Sequence, residues 1–166
     1  MCYRRVLSRA GVNLRMAPWE SQFERLKRAL RKVKRAEGDS TTRLDDLFSF
    51  FQHCWHLKDW IKNDDTLQRA TRKAVVKDVE ATDRLLYCAD LANGSKHLHL
   101  NRPRKGAQIW RFKASTSDPK TGKVFSEVEG FGIASKHGTP QPYDIVGFAV
   151  KAVKDWESIL KKHGLR

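Results

Sequence analysis

Two short segments of this chain concentrate the side chains that can move protons, ligate metals or meet phosphates. The first is His53-Cys54-Trp55-His56-Leu57-Lys58-Asp59-Trp60; the second is Asp90-Leu91-Ala92-Asn93-Gly94-Ser95-Lys96-His97-Leu98-His99. Histidine titrates nearest neutrality, so an imidazole beside a cation has the makings of a general base. At about 100° per helical residue, His53, His56 and Trp60 share one flank. If the second helix continues through Gly94, then Asp90, Asn93 and His97 share another. Two such flanks on neighbouring antiparallel helices would face each other across a polar cleft. This predicts that His56 and His97 lie near each other, with Asp59 or Asn93 in the same network.

Three chemistries suit these residues. In the first, His56, Asp59, Asn93 and His97 only pin helices together, because buried polar groups must pair. In the second, His53, His56, Cys88 and His97 ligate a metal. HxxH is a poorer chelating pair on a helix than HxxxH, and the three cysteines (Cys2, Cys54 and Cys88) form no CxxC. We therefore assign no metal and no cofactor. In the third, the site contacts or cuts RNA. Cleavage needs a base for the 2′-hydroxyl proton and a cation for the developing phosphate charge. His97 is the candidate base, Lys96, Arg84 or a partner's arginine the cation, and Asn93 and His56 complete the candidate catalytic set. No Walker A, GxGxxG, GxSxG or HExxH motif occurs.

The elements that must position these groups are mostly helices. Trp19, Phe23, Leu26, Leu30 and Val33 repeat at helical spacing from Pro18 to about Ala36, and Gly38 follows. A second helix starts near Thr42, with Asp45 as its capping-box partner. Its stripe is Leu44, Leu47, Phe48, Phe51, Cys54 and Trp55, and it ends around Asn63. A weakly amphipathic helix runs from about Thr66 to Val79. The next begins near Thr82 with Leu85, Cys88, Ala89 and Ala92 inward. Gln108 to Ala114 alternates, with Trp110 and Phe112 on one face and Arg111 and Lys113 on the other. With Lys123 to Ile133 it predicts a β-hairpin across the turn at Ser117 to Gly122. The last helix, from Asp144 to about His163, keeps its period through Ile145, Phe148, Ala149, Ala152, Val153, Trp156, Ile159 and Leu160. The expected fold class is mainly α: a four- or five-helix bundle with a β-hairpin inserted before the C-terminal helix. Leu47, Phe51, Trp55, Leu85, Phe148, Val153 and Trp156 should share one core.

A helical bundle with a polar residue and a histidine near the end of a late helix resembles the HEPN superfamily. Ala92-Asn93-Gly94-Ser95-Lys96-His97 matches that motif at Asn93 and His97. It departs from it at Ala92, where those proteins carry arginine. The resemblance implies metal-independent RNA cleavage in an active member, at a site shared by the two protomers of a homodimer. DLFSFFQHCWHLKDWIKND, ADLANGSKHLHL and the terminal AVKDWESIL also resemble a set of small bacterial helical proteins, from about Leu44 onward. That likeness implies a shared fold rather than an activity.

Charge supplies the second functional signal. Of 166 residues, 33 are Lys or Arg against 19 Asp or Glu, a net +14 that makes a polyanion the first partner to consider. Helix one presents Arg28, Arg31, Lys32 and Arg35 away from its apolar stripe. Arg102, Arg104 and Lys105 add a basic loop, and Arg111 and Lys113 add an outer strand face. One continuous positive stripe is expected. Residues 1–15 carry four arginines and no helical or strand period, and read as a flexible basic arm or as an over-long gene start before Met16. Residues 16–166 read as one helical domain with its hairpin at about 107–133. No 18-residue apolar run is present, so no membrane span is expected, and the absence of a secretory h-region points to the cytoplasm. The function expected is a non-catalytic nucleic-acid-binding accessory protein, with RNA favoured over DNA. A HEPN-like ribonuclease and a protein-interaction module are the alternatives.

Overall fold

The longest helix packs against each of the other four described helices. The structure, a computed structural model, describes residues 17–35, 37–94, 106–135 and 144–166. Its elements in chain order are α1 (Pro18–Arg35), α2 (Ser40–Lys62), α3 (Arg69–Glu80), α4 (Asp83–Gly94), β1 (Ala107–Ser117), β2 (Val124–Ser135) and α5 (Ile145–Lys162). The molecule is thus mainly helical, with an antiparallel two-stranded hairpin before the last helix. No helix among the described residues is long and apolar enough to cross a membrane.

α2 buries Leu47, Phe50, Phe51, Cys54, Trp55, Leu57, Lys58 and Ile61. These positions run around more than one face, so the stripe expected from Leu44 to Trp55 is too narrow. The reason is that α1, α3, α4 and α5 all pack against this one helix. α2 starts two residues before the expected Thr42. Asp39 is its N-cap and accepts a hydrogen bond from the Thr42 backbone N–H at 2.8 Å. At the far end of the chain α5 stops in a Schellman motif. The Leu165 N–H bonds the Leu160 carbonyl at 3.0 Å, and the Gly164 N–H bonds that of Lys161 at 3.1 Å. Gly164 has φ of 67°, a left-handed conformation in which glycine carries no Cβ penalty.

The core predicted from helical period is present. Leu47, Phe51, Trp55, Leu85, Val153 and Trp156 are buried in one cluster, with Phe148 half-buried at its edge. Phe148 stands edge-on to Phe51 and to Tyr87, each at 6.3 Å between ring centres. Trp156 sits at the centre and is 0% exposed. Its indole N–H donates to the Cys54 backbone carbonyl at 3.0 Å, which fixes α5 against α2.

The hairpin is turned over relative to the expectation. Arg111 pairs with Phe131 and Ile109 with Ile133 across the strands, so these residues share a face. Phe131 and Ile133 are buried, and Ile109 packs against the core. The Ile109 and Arg111 face therefore meets the helices, and Trp110 lies on the opposite face. Two bulky apolar residues on β2 decide the matter, because a strand cannot turn one face inward alone. Trp110 closes over Gly132, its cross-strand partner: a Cβ there would stand 2.5 Å from the indole nitrogen.

Candidate functional site

The polar residues of α2 separate into different neighbourhoods. His53 faces α1: its Nδ1 lies 3.2 Å from the Gln22 side-chain amide, and the same amide donates to the His53 carbonyl at 3.4 Å. Burial holds the His53 imidazole below its ordinary pKa, and Arg25, His56 and Arg28 depress it further. Trp60, on the same flank, lies under the Arg25 guanidinium at 5.5 Å. The flank defined by His53, His56 and Trp60 thus meets the cations of α1. Cys54, one residue on, points instead to α4, where its thiol hydrogen-bonds that of Cys88. Burial pushes the Cys88 thiol well up, and the neighbouring Cys54 thiol pushes it further. His53 and Cys88 consequently lie on different sides of α2. Among the described residues no group of three or more His, Cys, Asp or Glu is placed to hold a metal ion.

Of the second polar segment, the described part is Asp90 to Gly94. Asp90 is 1% exposed, and its Oδ2 accepts from the Ala107 backbone N–H at 3.3 Å, joining α4 to the start of β1. Asn93 is half-buried in the last turn of α4. Lys96 and His97 lie outside the described residues, and with them the expected approach of His97 to His56. Asp59 is within 3.4 Å of the Lys58 ammonium, which also lies 3.5 Å from Glu80 of α3 and 4.4 Å over the Trp55 ring. Arg84, a candidate cation, is paired with Asp155 of α5. Most of the polar groups placed here act between helices: Gln22 with His53, Arg84 with Asp155, Lys58 with Glu80, and Asp78 with Lys162 and His163 at 2.7 and 2.8 Å.

The charged surface is where the structure brings predicted residues together. Trp19, Phe23, Leu26, Ala29 and Val33 are buried on one side of α1. Arg28, Arg31, Lys32 and Arg35 are exposed on the other. Among the described residues, Asp46 of α2 lies 3.7 Å from the Lys32 ammonium. Arg111 donates to the Ser40 hydroxyl at 3.4 Å, which places it at the N-terminus of α2, beside the end of α1. Arg43 covers Phe131 at 5.7 Å in the same region. There Leu44, Phe48, Ile109 and Phe131 floor a concavity of about 330 Å³ with Arg111 at its edge. Arg102, Arg104 and Lys105, and the side chain of Lys113, lie outside the described residues.

Sequence reasoning missed a second basic region. Lys62 at the end of α2 and Arg69, Arg72 and Lys73 on α3 line one concavity. The i, i+3, i+4 spacing of the three α3 residues is a one-face signal that the weak apolar stripe of this helix obscured. Lys62 joins them only because the chain reverses between α2 and α3. No protein-family model, no curated protein and no solved structure matches this chain.

Proposed function

We propose that the protein binds nucleic acid, RNA in preference to DNA, through phosphate contacts from the outer face of α1, in a non-catalytic role. The observation that carries this reading is the exposure of Arg28, Arg31, Lys32 and Arg35 on one helix face, in a chain of net charge +14. Four cations in about two turns span about 10 Å, the reach of a few successive phosphates. Arg43 and Arg111 carry positive charge onward past the end of α1 and stand beside aromatic rings. The half-buried Phe48 ring beside Arg111 is of a kind on which unpaired bases stack, and this, with the HEPN likeness, is the ground for favouring RNA.

The alternatives draw less support. Ribonuclease chemistry would centre on His97 and Lys96, and Arg84, the described candidate cation, is paired with Asp155 of α5. An apolar docking module would present exposed hydrophobic surface, and among the described residues Val124 is the large hydrophobic that does so.

Filter retention of a labelled single-stranded RNA tests the reading. Four phosphate contacts predict a log–log salt slope of about −3. Reversing Arg28, Arg31 and Lys32 to Glu should weaken retention at least tenfold and leave the melting temperature nearly unchanged. Absence of retention of the unaltered protein at about 50 mM salt, the condition kindest to charge-driven binding, would remove the hypothesis.

A further inference from the structure

The C-terminal end of α2 and the first turns of α3 form an open concavity of about 350 Å³ lined by Lys62, Arg69, Arg72, Lys73 and Val76. Four of these five residues are cationic, and none is acidic. Like charges gathered in one hollow repel one another, so an anion that neutralises them stabilises the arrangement. Arg72 is preset within it: one guanidinium nitrogen donates to Asp65 Oδ1 at 2.8 Å and to the Lys62 carbonyl at 3.4 Å. Asp65 is the acidic partner in that network, and its side chain is 95% exposed. Lys62, Arg69 and Lys73 are exposed. The hollow also exceeds about 300 Å³, the lower bound for small-ligand sites, so it has room for more than one phosphate group.

This hollow is separate from the outer face of α1. Asp46 and His53 mark the flank of α2 that meets α1. At about 100° per residue, Lys62 lies about 160° and 180° around the helix from them, and about 24 Å along it from Asp46.

We propose that the α2–α3 concavity is a phosphate-binding site that takes two or more linked phosphates, in which Lys62, Arg69 and Lys73 contact the anion and Arg72 is held in place to meet it. Two sources supply that chemistry, a nucleic-acid backbone and a free polyphosphate chain. The proposal does not rest on the α1 reading.

The test is amide-resolved NMR titration of the full chain at about 50 mM salt, with sodium tripolyphosphate in one arm and an octauridylate in the other. Saturable shifts within residues 62–76 are expected in at least one arm. A response to tripolyphosphate alone identifies a free polyphosphate, and a response to the oligonucleotide alone identifies a nucleic-acid backbone. A response to both identifies the shared phosphate chemistry. The double variant R69Q/K73Q should weaken that binding about tenfold, with its thermal melt unchanged. The α1 variant R28E/R31E/K32E should retain the response, so that failure of the α1 reading and failure of this one are separable. Unsaturable shifts in both arms, or binding by R69Q/K73Q as tight as by the unaltered chain, would overturn the proposal.

Discussion

Two sides of α2, built from adjacent residues, have opposite characters. Cys54 looks into the interior, where it is 1% exposed, meets the Cys88 thiol, and offers its carbonyl to Trp156. His53 looks toward α1, half-buried, sharing a side-chain amide with Gln22 and lying near Arg25 and Arg28. One step along a helix turns the side chain by about 100° and here takes it from a dry, apolar setting to the base of a charged surface. A cluster that looks like one site in linear order is thereby divided. The interior side fixes how the helices meet, and the α1 side sits beneath the cations that face solvent.

That contrast is most sharply tested at Trp156. Its replacement by Ala should destabilise the protein by about 3–5 kcal/mol, the cost typical of a large buried aromatic. Urea unfolding measures this. A loss below about 1 kcal/mol would mean that the α5 side of α2 is not the rigid one. Asp90→Ala should cost less, about 1–3 kcal/mol, because it leaves the Ala107 N–H without its carboxylate in a buried place. Faster amide exchange at Ala107 should accompany it. Unaltered exchange would show that α4 and β1 are joined by packing alone.

The smallest effect belongs to the α1 side. His53 is held below its ordinary pKa of about 6.5 by burial and by neighbouring positive charge. Below that pH the unfolded chain takes up a proton that the folded chain resists. The contribution of His53 is therefore complete above about pH 6.5 and is lost as pH falls toward the lower folded value. Because the site is half-exposed, the change should stay under about 1 kcal/mol. Urea unfolding at pH 7.5 and 5.5 should show a smaller drop in His53→Gln than in the unaltered protein. Equal drops would place the pH sensitivity elsewhere.

The pattern of what could be read follows from these two sides. Elements with a single apolar face were legible: α1 from Trp19 to Val33 and α5 from Ile145 to Leu160 occupy nearly the expected ranges. The start of α2 was displaced because Thr42 and Asp45 imitate a capping box, whereas Asp39 makes the capping bond. The inward face of the hairpin is not legible in β1, whose alternation favours Trp110 and Phe112, because Phe131 and Ile133 on β2 hold the deciding apolar bulk.

The sequence by itself determined the helical class, the apolar stripes of α1 and α5, and the excess of positive charge. Each of these is a property of residue type and local spacing. It also placed Arg28, Arg31, Lys32 and Arg35 on one face, because helical period alone puts residues three, four and seven apart together. Only the tertiary structure decided which neighbour each polar group would meet. Gln22 and His53 are 31 residues apart, Asp90 and Ala107 are 17 apart, and Cys54 and Trp156 are 102 apart. No local period encodes such distances, since they follow from the order in which α1, α3, α4 and α5 pack around α2. The gathering of Lys62 with Arg69, Arg72 and Lys73 has the same origin: the reversal between two helices turns four separate charges into one concave surface.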